Sequence, residues 1–228
     1  MPFEMSSRAV TKVLWVEGSP KAERSLSSAC ARALLDQLGD GVSITHLDVW
    51  ADEVVVFGRE AALAKFGPLF GEPHTPEQAR IWEQVTSRIE QVAAHDVLLI
   101  SSPMWNWGIP HALKAWIDVV VQPLDSFTVD AEGRHVGVLG VGKRAQLVLT
   151  RSSAYDGRAP ELEDHQEPYL RYVLSMLGFD VAEPVIVEPT TAWTQEERDQ
   201  MAADALEHAA QRGRELAANL EANLKENR

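Results

Sequence analysis

Apolar residues follow two rhythms along this chain. Val13, Leu14, Trp15 and Val16 form an unbroken apolar run within residues 12–17, and Val97, Leu98, Leu99 and Ile100 form another within 96–101. Runs of this kind suit strands covered on both faces, as in parallel sheets. Val42, Ile44 and Leu47 alternate with Ser43, Thr45 and His46, which predicts a strand over 42–48. Two more strands are predicted over 145–150 and 181–187. Between them the period lengthens. Leu26, Cys30, Leu34 and Leu35 fall at helical spacing within 25–38. Thr75, Pro76 and Gln78 supply a cap, a first-position proline and a capping-box partner for a helix to about 94. Helices over 112–121 and 162–176 follow, the second stopped by Gly178. Thr194, with Glu197 three residues on, opens a last long helix. Residues 49–75 are broken by Gly58, Gly67, Pro68, Gly71 and Pro73, leaving room for one short helix over 60–66. Residues 123–142 are irregular, with a hairpin expected over 127–135 around Glu132 and Gly133.

Strands alternating with helices predict an α/β, flavodoxin-like three-layer sandwich with a five-stranded parallel sheet. No composition shift or repeat divides it. One domain is expected over 12–228, after a flexible extension over 1–11. At 228 residues, 45% hydrophobic and 24% charged, the chain can build a single large core. A net charge of -13 argues against holding nucleic acid through a broad basic surface. The single Cys30 excludes an internal disulfide and a cysteine-cluster metal site, and reads as a small core residue. No apolar run is long enough to span a bilayer, and the first ten residues lack a signal-peptide core, so a cytoplasmic protein is expected.

Ligands of open α/β sheets bind beyond the carboxyl ends of the strands. Three loops should meet there. Ser102 to Pro110 carries Met104, Trp105, Asn106 and Trp107, two flat faces for a planar ring around an amide that donates and accepts. Gly18 to Ser27 carries Ser19, Ser25 and Ser27 at a helix start, where unpaired amides and the helix dipole favour a phosphate. Ser25 serves equally well as an N-cap. The third loop runs from Thr150. A phosphate end and a ring end together have the layout of a mononucleotide flavin site. Gly137 to Lys143 matches P-loop spacing, but Arg144 follows and a strand rather than a helix comes next, so it is a chance match. His111 stands where it could touch a substrate, but it reads first as a solvated first-turn histidine. No nucleophile–base pair and no general acid stand out.

These residues resemble the FMN-dependent NADH-azoreductases, grouped with the NAD(P)H quinone reductases in the flavodoxin-like superfamily. Lys12-Val13-Leu14 leading to Ser19-Pro20 and Arg24-Ser25-Leu26-Ser27 resembles that family's phosphate loop. Pro103-Met104-Trp105-Asn106-Trp107, then Ile109 and Leu113-Lys114, resembles its isoalloxazine loop and following helix. Gly142 to Ala145, running into Thr150-Arg151-Ser152-Ser153, resembles the segment that usually ends in two glycines. The resemblance implies FMN as cofactor, with Ser19, Ser25, Leu26 and Ser27 at its phosphate and Met104, Trp105, Asn106 and Trp107 along its ring. Thr150, Arg151, Ser152 and Ser153 would border its pyrimidine side. It also implies NADH or NADPH as co-substrate, a quinone or azo compound as acceptor, and a homodimer. Ser152 and Ser153 replace glycines, which tolerate positive φ, and Thr128 and Val129 stand where the family often has a basic residue and a tyrosine.

An independent expectation of a homodimer comes from Trp116 and Val120, four apart on the helix after the ring loop. With Trp105, Trp107 and Phe127 they predict an apolar patch that a second copy would cover. The rival reading is a flavodoxin-type electron carrier docking its acidic surface on basic partners.

Overall fold

The first strand shows why the apolar runs are unbroken. In the computed structural model, which describes residues 10–51, 56–155, 157, 161–191 and 194–226, β1 (Thr11–Glu17) lies inside the sheet. Its side chains alternate between two cores. Val13 and Trp15 join one with Cys30, Leu34, Ala209 and Leu216, whereas Leu14 and Val16 join the other with Val85, Leu113, Trp116 and Leu170. Both faces are therefore covered, and each fully buried side chain of this size contributes roughly 1.5–3 kcal/mol. The strand begins at Thr11, one residue earlier than expected. Of the extension expected over 1–11, residues 1–9 lie outside the described residues.

Parallel strands flank β1: β2 (Val42–Asp48) on one side and β3 (Val97–Pro103) on the other. Beyond β3, after a separate antiparallel hairpin of β4 (Phe127–Val129) and β5 (His135–Gly137), comes β6 (Arg144–Thr150). The order β2–β1–β3–β6 continues into a fifth position occupied by two fragments, β7 (Asp180–Val181) and β8 (Val185–Val187), both paired to β6. One strand over 181–187 was expected. Pro184 sits in the break, and proline has no N–H to give a ladder. The buried Gln146 amide fills the gap, donating to the Glu183 carbonyl at 3.0 Å.

Among the described residues, five α-helices cover the sheet and a sixth packs outside them. On one face lie α1 (Leu26–Leu35) and α6 (Gln195–Glu226). On the other lie α3 (Pro76–Ala93), α4 (His111–Val120) and α5 (Glu167–Met176), and α2 (Arg59–Phe66) packs on α3. The capping boxes of α3 and α6 form as expected. Helix α5 starts five residues later than the spacing suggested, because Asp164 turns back to accept the amides of Gln166 and Glu167. Residues 156 and 158–160, part of the expected loop over 151–160, lie outside the described residues.

The apolar patch expected on α4 does not exist. Trp116 and Val120 are 4% and 1% exposed, packed into this chain's own core between sheet and α5. Phe127 is half-buried against the same core. A helix with Leu113, Trp116, Ile117 and Val120 on one face needs a cover, and its own chain provides it.

Candidate active site

The strand order reverses between β1 and β3, the position at which open α/β sheets bind ligands beyond the carboxyl ends of their strands. Gly18 sets the first loop. Its amide donates to the Ser101 carbonyl at 2.8 Å, and a Cβ would approach that oxygen to 3.1 Å and the Leu113 side chain to 3.2 Å. A larger residue would have to push β3 or Leu113 back by a few tenths of an ångström. Ser19, Ser25, Ser27 and Ser28 are buried, while residues 20–24 between them, with Lys21 and Arg24, are exposed. The Ser25 hydroxyl accepts the Ser28 amide at 3.3 Å as the N-cap of α1 and is bonded to the Ser27 hydroxyl at 3.0 Å. The cap and anion readings of Ser25 coexist, because the amides of Leu26 and Ser27 open the helix with no intrahelical acceptor. The buried Ser28 hydroxyl has no partner among the described residues.

The ring loop is a two-residue hairpin. Trp105 and Gly108 exchange both backbone hydrogen bonds at 3.0 Å, and the residues between them, Asn106 and Trp107, have φ of 46° and 65°. Two successive left-handed residues are the signature of a type I′ turn, whose second centre strongly prefers glycine. Asn tolerates that geometry; a tryptophan there is strained. The rings are not core anchors, since Trp105 is 39% and Trp107 55% exposed. Replacing Trp107 with Gly should raise stability by about 1 kcal/mol, the lower end of the left-handed cost, while weakening ring binding. Thermal unfolding and flavin titration of the same variant check both halves, and a destabilised variant would show that indole packing outweighs the strain.

The third loop is tied to the second. The Met104 amide donates to the Thr150 carbonyl at 2.8 Å, and the His165 amide to the Trp107 carbonyl at 3.0 Å. Ser152 and Ser153 need no glycine-like backbone, because neither has a positive φ. Ser152 is exposed and Ser153 half-buried. The Arg151 side chain is engaged within the protein. It is 3% exposed, and its guanidinium donates to Asp164 (2.7 Å), Glu188 (3.0 Å) and Gln166 (3.2 Å). Gln166 in turn donates to the Ser102 carbonyl at 3.2 Å. The Arg151 side chain is thus a strut bracing the loops, with its donors turned toward protein.

Sequence reasoning missed Trp50. It lies two residues beyond β2, at the same sheet edge, in a stretch with no periodic pattern. Its indole N–H donates to the Gly18 carbonyl at 3.0 Å, and its ring lies 5.5 Å from Trp105 and 4.9 Å, edge-on, from His111. The strand end after Asp48 was the available signal.

With this geometry in place, the comparisons are direct. Residues 11–212 match the family described by its flavodoxin-like fold. The FMN-dependent NADH:quinone oxidoreductase of Nitratidesulfovibrio vulgaris (strain DP4) is 32% identical over 201 residues, covering 86% of this chain and 95% of the relative. The chain belongs to this family. FMN-dependent NADH:quinone oxidoreductase 2 of Pseudomonas syringae pv. tomato is 35% identical over 184 residues, covering 79% of this chain and 87% of that one. Among solved structures, an azoreductase from Bacillus anthracis superimposes with a TM-score of 0.78 at 25% identity, covering 90% of this chain and 99% of its own. The flavodoxin-like architecture read from the strand and helix pattern is thereby established.

The residues present fit the flavin mononucleotide named in this oxidoreductase family. A serine-rich helix start, with the orphaned Ser28 hydroxyl in its first turn, has the donor set a phosphate needs. Two exposed indoles flanking an exposed amide suit a planar, polar-edged ring. Among the described residues no group of three His, Cys, Asp or Glu is placed to hold an ion.

Proposed function

We propose that this protein is an FMN-dependent oxidoreductase that draws on NADH or NADPH to reduce quinones, azo compounds or both. The observation that carries the proposal is that the strained, solvent-facing Trp105–Gly108 hairpin after β3 and the buried serine loop after the neighbouring β1 leave the sheet on either side of its switch point. The names of the relatives support the same reading. FMN, when bound, supplies two-electron hydride chemistry, accepting from the nicotinamide and delivering to the acceptor.

The chain's part is to bind and orient. Ser19, Ser25, Leu26 and Ser27 hold the phosphate through hydroxyls and first-turn amides. Met104, Trp105, Asn106 and Trp107 line the ring, with the indoles shielding it from water and the Asn106 amide meeting a polar edge. Thr150, Ser152 and Ser153 border the pyrimidine side, and Arg151 holds that loop in place from behind. Rate enhancement comes mainly from orientation in an apolar slot.

The test is spectroscopic, then kinetic. Reconstituted protein should show the flavin visible bands, release FMN and not FAD on denaturation, and oxidise NADH with menadione as acceptor. Failure to bind either flavin would sink the proposal, whereas binding without turnover would favour the electron-carrier reading, which no relative named above supports.

A homodimer remains part of the proposal on different residues from those first expected. Leu124, Val129, Val136, Val138 and Val141, on and around the β4–β5 hairpin, are all exposed, and Leu124 has a φ of 75°. Apolar groups gathered this way favour association with a second copy. Light scattering at micromolar concentration should return twice the 25.2 kDa chain mass, and a monomer with full activity would refute the interface. Among the described residues no helix is long and apolar enough to cross a membrane. Dependence on a soluble dinucleotide supports a cytoplasmic setting.

A further inference from the structure

We propose that Trp50, Trp105 and His111 form the wall against which the electron acceptor lies, and that His111 selects planar acceptors bearing an anionic oxygen substituent, a sulfonate or carboxylate. The assignment rests on the functional reading above and names the acceptor class within it.

Trp50 is pinned along its whole length. Its backbone amide donates to Asp48 Oδ1 at 2.8 Å and its indole N–H to the Gly18 carbonyl at 3.0 Å. With its only side-chain donor engaged, it offers an acceptor a fixed apolar face at little entropic cost. The Trp105 ring meets it at 52°, so the two indoles open as a wedge instead of stacking flush. His111 closes the side of that wedge, standing at 86° to Trp50 and 6.4 Å from Trp105.

The imidazole is the polar element of this wall. It is exposed at the first residue of α4, and neither nitrogen has a hydrogen-bond partner among the described residues. In either protonation state an imidazole carries at least one N–H. Lys114, one turn along α4, is paired with Asp118 at 2.6 Å. The whole chain carries a net charge of -13, so its long-range field gives an anionic acceptor no help. Any preference for one must come from a local donor, and the imidazole sits where the edge of a flat ring on the indoles would lie.

The experiment is an equilibrium titration of oxidised, flavin-loaded protein without NADH, following fluorescence quenching by menadione and by a naphthoquinone sulfonate. Flavin loading is read first from the visible spectrum. His111→Phe, which keeps a ring but loses the N–H, should weaken the sulfonate about tenfold, as loss of a charge-assisted hydrogen bond does, and leave menadione unchanged. His111→Gln, which restores an N–H, should recover part of that loss. Trp50→Leu should weaken both quinones, and Trp50→Phe, which keeps an aromatic face, should weaken them less. Equal losses of both quinones in His111→Phe would reduce His111 to packing, and no loss at all would place the acceptor elsewhere; either overturns the assignment alone. Protein that shows no flavin bands overturns the functional reading itself, before any quinone is added.

Discussion

Arg151→Ala is expected to lower folding stability by about 3–5 kcal/mol, the range for removing one partner of a buried ion pair. The guanidinium answers two carboxylates from different segments, Asp164 and Glu188, which are 17% and 19% exposed and cannot rehydrate fully once it is gone. It also holds Gln166, which is fully buried and braces the carbonyl of Ser102. The loss therefore spreads from the end of β6 to the end of β3, and flavin affinity should fall with stability. Urea unfolding measures the first and flavin titration the second. A loss below about 1 kcal/mol, the worth of an exposed pair, would mean that water reaches both carboxylates and that the strut carries little.

Gly213→Ala is expected to cost about 2 kcal/mol, in spite of a gain of about 1 kcal/mol in helix propensity. Ala209, Gly213 and Leu216 lie on the face of α6 that meets α1, and Ala209 and Leu216 are core residues there. A Cβ at Gly213 would overlap the Leu34 carbonyl and stand 2.9 Å from the Gln37 Cβ. A backbone carbonyl cannot swing aside, so α1 must move. Because α1 begins at Ser25, its displacement should also loosen the phosphate loop. Gly41→Ala, where nothing lies within 4 Å of the added carbon, is the control. Stabilisation by Gly213→Ala would show that the two helices have room to separate.

Local chemistry was readable along the chain. Thr75 with Gln78 and Thr194 with Glu197 carry their helix starts within four residues, and the apolar runs of β1 and β3 declare strands covered on both sides. The tryptophan loop was legible because it follows such a strand directly. What failed was non-local. Trp116 and Val120 mark a buried face of α4, but helical spacing says that a face is covered and not by what; here α5 and the sheet cover it. The partners of the Arg151 side chain, Asp164 and Glu188, lie 13 and 37 residues along the chain and carry no local signal. Trp50 sits in an aperiodic stretch, and only the register of β2 against β1, Asp48 opposite Glu17, brings it to the carboxyl edge of the sheet. The fifth strand was read as continuous because its apolar pattern is, although Pro184 interrupts the ladder.

Quinones are electrophiles that arylate thiolates. Cys30, the one sulfhydryl in the chain, is fully buried between α1 and the sheet, and burial pushes its pKa up to about 11. At neutral pH the sulfur stays protonated and walled off, and a protonated, inaccessible thiol is a poor nucleophile. On the proposed function, the protein would thereby present its quinone acceptors with no accessible thiolate to arylate.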